Sequence, residues 1–406
     1  MLGLGFLGYL YVTGSLPAAM GVLKTIPFST SSSYTLSVIP LFILMGQTIF
    51  YAGISSELFD TCYKWFGRVR GGLSIATIAA SAGFSAICGS STATTATMGV
   101  VCYPEMKKYN YRETLATGCV CAGGTLGVLI PPSTGFILYG TAAQIAVGKM
   151  FAAGIFPGLL MTICYCVVVV VLVRIDPAAG PSGERFTVPV MLKSLGGIIP
   201  VIVLFILVLG GIFTGWFTAT EGGAIGAFGA FIFMVLRRKA TLANLRNSLK
   251  DTIKTSAMIL FIIIGANAFN SFLTVTNMPM ALAKWAVGLN VPSIVIIIFV
   301  LLLYAVLGCF VDSLPLITLL TPIFLPVVVT LGMDPIWFGV LMVMLMQLGS
   351  ITPPVGICCY VMSGVAKEVP LMQIFKGTAP FIFGLIATVV LVMLFPIIGT
   401  YLPGRM

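Results

Sequence analysis

Histidine is absent from all 406 residues. Without imidazole there is no Ser-His-Asp nucleophile, no histidine metal triad and no histidine proton relay. Charge is nearly as scarce: Asp, Glu, Lys and Arg make up 8% of the chain, and only 11 residues are acidic. The ten cysteines include the close pairs Cys119/Cys121, Cys164/Cys166 and Cys358/Cys359. None has zinc-ligand spacing, and they read as small apolar packing groups. No glycine-rich phosphate loop is present, so nothing points to ATP.

What fills the chain instead is apolar sequence. Hydrophobic residues account for 59% of it and mean hydropathy is +1.13, which places it among all-α polytopic membrane proteins. Runs such as Met150 to Val173, Ile198 to Phe213 and Thr378 to Thr400 approach the ~20 residues that cross a ~30 Å hydrocarbon core, and they lack the alternation of barrel strands. Leu2 to Leu23 reads as a first span.

The formal charge of +10 does not signal nucleic acid, because the basic residues lie between apolar segments rather than on one face. The bias of Lys and Arg toward cytoplasmic loops explains them better. With the loop Arg237, Arg238, Lys239, Arg246, Lys250, Lys254 set inside, seventeen of the 21 basic residues fall inside, among them Lys64, Arg70, Lys107, Arg112, Arg174 and Lys376. Only Lys24, Lys149, Lys284 and Arg405 lie outside. The count requires Gly71 to Tyr103 and Val291 to Leu331 each to enter and leave on one face, as two half-length helices around a polar turn. Irregular backbone at that depth persists only where protein buries it or a wet cavity borders it.

Two further interruptions match each other 222 residues apart: Leu126-Gly127-Val128-Leu129-Ile130-Pro131-Pro132-Ser133 and Leu348-Gly349-Ser350-Ile351-Thr352-Pro353-Pro354-Val355. Ahead of each stands a similar apolar stretch, Pro40 to Gly46 and Ile259 to Gly265. The order is therefore span, hairpin, broken helix, closing span, twice over, and the charge count gives the copies opposite orientations. Paired Gly/Pro-interrupted segments in an inverted repeat mark a transporter's binding site, where unwound backbone and half-helix ends face substrate and ions.

Asp312, in the turn Gly308-Cys309-Phe310-Val311-Asp312-Ser313, costs at least ~2.5 kcal/mol on insertion scales, and no basic residue lies near it in sequence. One carboxylate oxygen can cap the following helix while the other faces a sodium ion. The tip Gly89-Ser90-Ser91-Thr92, followed by Thr94, Thr95 and Thr97, supplies neutral oxygens and helix-terminal amides suited to a desolvated monovalent cation beside an anion. Glu221, after Thr218 and Thr220, reads as a first-turn acid favoured by the helix dipole rather than as an ion ligand.

Ile39 to Gly46, Gly71-Gly72-Leu73, Gly89 to Thr94, Gly127 to Ser133, Phe151-Ala152-Ala153-Gly154-Ile155-Phe156-Pro157-Gly158 and Gly349 to Gly356 together resemble the large membrane (M) subunit of tripartite ATP-independent periplasmic (TRAP) transporters, over nearly the whole chain. The resemblance implies an inverted-repeat elevator transporter of the ion-transporter superfamily, with two re-entrant hairpins and two broken helices, and no enzymatic activity. It implies a small membrane Q subunit and a periplasmic substrate-binding P subunit as partners, the lipid bilayer as surroundings, and no nucleic acid. The expected setting is multi-pass in the bacterial cell inner membrane, and the expected cargo is an organic acid such as a C4-dicarboxylate or sialic acid, driven by Na+.

Carried over by position, one sodium site would use Ser90, Ser91 and Thr92 with backbone at Gly127, Ile130 and Pro132. The other would use Asp312 with backbone at Gly349, Thr352 and Val355. Substrate candidates are Ser91, Thr94, Pro131, Ser133, Ser313, Ser350 and Pro353, between the hairpin tips. The expected units are scaffold and arm helices (1–70), transport-domain half 1 (71–149), scaffold spans, cytoplasmic loops and arm (150–290), transport-domain half 2 (291–368) and a C-terminal scaffold span (369–406). At the start, family members carry additional apolar sequence before the position of Leu2, so the chain is expected to lack an N-terminal half-segment or to begin at an internal methionine. The alternatives are a single-component sodium/dicarboxylate symporter, or a pore or structural subunit in which the hairpins line a conduit.

Overall fold

A backbone immersed in hydrocarbon must satisfy its own hydrogen bonds, and at this apolar content helix is the form that does so segment by segment. The computed structural model describes residues 1–289 and 291–406, and their regular structure is helical apart from one isolated bridge between Arg70 and Ser182. The unit boundary drawn at 290 falls on Asn290, outside the described residues. Five helices are long and apolar enough to span a bilayer: Val147–Ile175, Ala219–Leu236, Leu242–Val275, Ser313–Thr330 and Leu371–Leu394. Two bent pairs, Leu16–Ser31 with Thr35–Tyr51 (56°) and Val188–Gly197 with Ile199–Phe213 (48°), raise the number to as many as seven. The protein is a multi-pass membrane protein.

Two spans differ from expectation. Leu2 to Leu23 is not one helix but two, Leu2–Thr13 and Leu16–Ser31. Gly14 ends the first in the left-handed conformation (φ 62°), and Ser15 caps the second, accepting from the Ala18 N–H at 3.4 Å, with Pro17 in the first turn. The run Thr378 to Thr400 is also interrupted, its helix being Leu371–Leu394. Pro396 disfavours helical geometry at Phe395, which leaves the helical region at φ −122°, ψ 76°, and offers no N–H to continue the ladder.

Both expected hairpins are helix–turn–helix units. The first comprises Gly72–Cys88 and Ser91–Lys108, the second Ser293–Gly308 and Ser313–Thr330. The first extends five residues past Tyr103, because Pro104 is accommodated inside its second limb. Both broken helices are broken where the paired prolines predicted. Glu113–Thr125 passes through a 3-10 turn, Leu126–Val128, and resumes as Thr134–Ala143; Pro335–Ile351 resumes as Ile357–Val365. The Pro131–Pro132 and Pro353–Pro354 bonds are both cis.

The two ends of the first hairpin meet a single loop. The Gly71 N–H donates to the Gly180 carbonyl at 2.9 Å and the Arg112 N–H to the Ala179 carbonyl at 3.0 Å. Arg112 pairs with Asp176, and the Tyr109 hydroxyl donates to Glu184 at 2.8 Å. This hairpin therefore begins and ends on one face of the molecule. Lys107 reaches Glu368 on that face at 2.6 Å.

Lipid is as apolar as leucine, so helices here associate through close backbone approach and local polar contacts. A Cβ on Gly118 would run into the Gly377 carbonyl, which sets Glu113–Thr125 directly against Leu371–Leu394. Val38–Tyr51 and Leu242–Val275 are fastened together by the Tyr51 hydroxyl, which donates to Asp251 at 2.7 Å.

Candidate functional site

Each break in the chain leaves a helix start that needs a cap, and the sequence supplies one at nearly every break. Ser90 caps Ser91–Lys108, accepting from the Ala93 N–H at 3.5 Å; Ser133 caps Thr134–Ala143, accepting from the Phe136 N–H at 3.2 Å. Asp312 caps Ser313–Thr330, its Oδ1 accepting from the Ser313 N–H at 2.7 Å. Ile357–Val365 starts instead after Gly356, in the left-handed conformation at φ 49°. The first residues of all four helices line one cavity of about 360 Å³, together with Cys88 and Val128 from the ends of the preceding segments.

Six of the sequence-derived candidates line that cavity: Ser90, Ser91, Thr92, Asp312, Ser313 and Ser350. Among the described residues around it, Asp312 is the only charged side chain. The opposite wall comes from outside the repeat's broken parts, with Ile43 and Gln47 on Val38–Tyr51 and Thr255, Met258 and Ile259 on Leu242–Val275. Sequence reasoning did not single out Gln47, Thr255 or Thr134. Gln47 carried a signal, as a lone amide directly after an apolar run ending Met45-Gly46.

Behind the first tip, the turn is held by Gly89, whose φ of 64° favours glycine and whose Cβ would lie 2.7 Å from the Pro132 carbonyl. Thr134 fastens the same turn, its hydroxyl and N–H both donating to the Gly89 carbonyl at 2.8 and 3.2 Å. A Cβ on Gly127 would sit 2.5 Å from the Ser90 carbonyl oxygen and 2.8 Å from Thr94 Oγ1. That hydroxyl is buried without a protein partner. A carbonyl and an unpaired hydroxyl thus converge beside bare backbone, a donor set suited to a dehydrated monovalent cation.

The second tip repeats the plan with different chemistry. A Cβ on Gly349 would collide with the Gly308 carbonyl, and the Val355 N–H donates to the Cys309 carbonyl at 3.2 Å. Thr352 Oγ1 donates to the Leu348 carbonyl at 2.8 Å and lies 3.2 Å from Cys309 Sγ. The copies are bonded to each other at more than one point: the Ser91 hydroxyl donates to Gln347 Oε1 at 2.8 Å, leaving Gln347 Nε2 buried and unpaired, and the Tyr139 hydroxyl donates to the Pro335 carbonyl at 2.6 Å.

The remaining candidates stand away from the cavity. Ser133 commits its hydroxyl to the Val128 carbonyl and to capping. Ile130 is buried with its side chain against Gly158, and Pro131 and Pro132 are buried with it, whereas Pro353 is exposed. Glu221 completes a reciprocal cap with Thr218: its carboxylate accepts from the Thr218 N–H at 2.8 Å, and its own N–H donates to the Thr218 hydroxyl at 3.3 Å.

Residues 1–398 match the family described as the tripartite ATP-independent periplasmic transporter, DctM component. The C4-dicarboxylate TRAP transporter large permease protein DctM of Pseudomonas aeruginosa is 34% identical over 99% of this chain and 93% of that protein. The isethionate TRAP transporter permease protein DctMQ of Oleidesulfovibrio alaskensis is 33% identical over 99% of this chain and 63% of that protein. The crystal structure of the Alcanivorax borkumensis YdaH transporter superposes with a TM-score of 0.67 at 15% identity, covering 96% of this chain and 90% of that one, which establishes a shared fold. The chain belongs to the DctM family of TRAP transporters, as a large membrane permease component and not an enzyme.

Proposed function

We propose that this chain imports an organic acid anion, of the C4-dicarboxylate or sialic-acid class, across the bacterial inner membrane by sodium-coupled symport. A periplasmic P subunit delivers the anion and a small Q subunit braces the permease. The observation that carries the reading is the cavity itself, where four helix N-termini meet around one carboxylate and, among the described residues, no basic side chain.

Helix N-termini favour an anion. Asp312 opposes it, since two like charges roughly 5 Å apart at an effective dielectric of 20 repel by about 3 kcal/mol. With no Lys or Arg among the described residues of the wall, cations must enter with the anion to offset that repulsion, and coupling follows from the shortage of fixed positive charge. In this reading Thr94, the Ser90 carbonyl and the Gly127 backbone hold one sodium ion, while Asp312 with backbone at Gly349, Thr352 and Val355 holds the other. Ser91, Ser313 and Ser350 face the anion. Relatives named for C4-dicarboxylates and for isethionate fit a site that reads an anionic head group through backbone dipoles.

The hairpins are re-entrant, and they move with the broken helices as one body against a scaffold containing Val38–Tyr51 and Leu242–Val275. The test is uptake of labelled dicarboxylate, isethionate and sialic acid into proteoliposomes holding the permease and its Q partner, with and without an inward sodium gradient and the P protein. Uptake that needs both supports the reading. Sodium-driven uptake without the P protein replaces it with a single-component symporter, and flux indifferent to sodium removes both ion sites.

A further inference from the structure

A groove of about 460 Å³ opens where the last turn of Val147–Ile175 meets the start of Gly72–Cys88. Val69, Ile75, Val170 and Val173 form most of its wall, and two arginines, Arg70 and Arg174, complete it. The backbone here is closely built. Gly71 is in the left-handed conformation at φ 73°, and a Cβ on it would lie 2.9 Å from Val173 and 3.1 Å from Val169, so the segment carrying Arg70 lies directly on the end of Val147–Ile175. The bridge between Arg70 and Ser182, and the bond from the Gly71 N–H to the Gly180 carbonyl, hold that segment from its other side.

Neither arginine has a carboxylate partner among the described residues. Asp176, the acid nearest Arg174 in sequence, is taken by Arg112, and Glu184 beyond it accepts from Tyr109. The bias of basic residues toward cytoplasmic loops accounts for their face of the membrane but not for two of them meeting at one apolar groove, where like charges repel. The dipole at the end of Val147–Ile175 favours Arg174 but does nothing for Arg70. The same helix meets hydrocarbon along its length: Leu159, Ile163, Val167, Val171 and Ile175, every fourth residue, are exposed. That stripe ends beside Arg174. Acyl chains therefore reach the groove, and the charge count sets both arginines on the cytoplasmic side, at the level of the head groups.

We propose that this groove binds an anionic phospholipid of the cytoplasmic leaflet, of the phosphatidylglycerol type, with its phosphodiester between Arg70 and Arg174 and an acyl chain along Ile75, Val170 and Val173. Guanidinium groups match phosphate oxygens with paired hydrogen bonds, and basic pockets between spanning helices on the cytoplasmic side suit such head groups. A zwitterionic lipid presents the same phosphate but brings an ammonium group into the field of the two arginines, and is disfavoured. The bound lipid ties the start of the first hairpin to the end of Val147–Ile175.

Native mass spectrometry of the solubilised permease, alone and with its Q partner, titrated with phosphatidylglycerol or phosphatidylethanolamine, tests it. Phosphatidylglycerol is expected to bind at least about tenfold more tightly and to raise the unfolding midpoint. The double variant Arg70→Gln, Arg174→Gln should lose that preference and the midpoint gain, with its lipid-free midpoint unchanged. Arg70→Lys with Arg174→Lys keeps the charge without the paired geometry and should fall between the two. Arg68→Gln removes an exposed charge outside the groove and should leave the affinity within about twofold. Equal binding of the two lipids, or an equal loss in Arg68→Gln and the double variant, would reduce the effect to general surface charge and overturn the site. Displacement by millimolar inorganic phosphate would replace the lipid with a free anion, and retention of lipid by the permease alone but not by the complex would give the groove to the Q subunit.

Discussion

The two copies of the repeat share a plan but not a covering. Every residue from Leu115 to Gly140 in the first broken helix is buried. Phe136 packs at Gly154, Ile130 at Gly158, and Tyr165 bonds Thr125 at 3.0 Å, all from or against Val147–Ile175. In the second copy Pro353 and Pro354 are exposed, and Phe310 at the neighbouring tip is 62% exposed. The closed copy offers neutral oxygens and the open one a carboxylate. Neutral ligands compete with water for a cation only in a dry site, whereas a full charge attracts one from a wet site, so in the proposed sodium symport each chemistry would sit in the environment that suits it.

Three measurements would break or sharpen that contrast, beginning with the largest effect. Cys88, buried at the closed tip, and Cys309, half-exposed at the open one, report covering directly. In solubilised protein Cys309 should react with a hydrophilic maleimide at least about a hundredfold faster, since Cys88 reacts only through local opening. Equal rates, read by mass spectrometry of the labelled peptides, would abolish the distinction between the copies.

Next come paired substitutions. Asp312→Asn keeps a capping side chain but removes the charge, and is expected to raise the sodium needed for half-maximal uptake at least about tenfold, or about 1.4 kcal/mol, with the unfolding midpoint unchanged. Thr94→Val removes an unpaired hydroxyl and should raise it by only about threefold, again without destabilisation. Unaltered sodium curves in both variants would detach the tips from ion coupling, and a larger effect from Thr94 would reverse the order of the two copies.

The smallest effect lies on the loop face. The Lys107 ammonium, 2.6 Å away, holds the Glu368 carboxyl down to about 2. A carboxyl depressed in the folded state adds stability above its unfolded value of about 4.3, and that contribution fades as pH falls through about 2. Because both groups are exposed, Glu368→Gln should shift the acid-unfolding profile slightly and leave neutral-pH stability nearly untouched. A large loss at pH 7 would mean that this pair clamps the copies together.

Much of the architecture was legible because the bilayer narrows the choices. Once Pro131–Pro132 and Pro353–Pro354 interrupt apolar sequence, each helix has to break, and the polar turns at Gly89-Ser90 and Cys309 to Asp312 divide each expected hairpin into two helices. The fraying of Leu2 to Leu23 was readable in principle from Gly14-Ser15 with Pro17, a stop followed by a start, but high hydropathy masked it. The site was only half legible. Ser90, Ser91, Thr92, Asp312 and Ser313 announce themselves at turns, and Ser350 beside one, whereas Gln47 and Thr255 face the cavity from intact helices. Local pattern cannot say which way a helix face points until its neighbours are placed.

The Ser91–Gln347 bond gives the two copies a common fate. Two mechanically independent halves would let ions cross without cargo, and the gradient would drain by slippage. A contact spanning the copies makes occupancy behind one tip felt at the other, and such influence is reciprocal: whatever factor a bound ion contributes to anion affinity, the anion returns to the ion. In the proposed symport, cooperative sodium activation is then a property of how the halves are joined, through this amide together with the Tyr139–Pro335 and Lys107–Glu368 contacts.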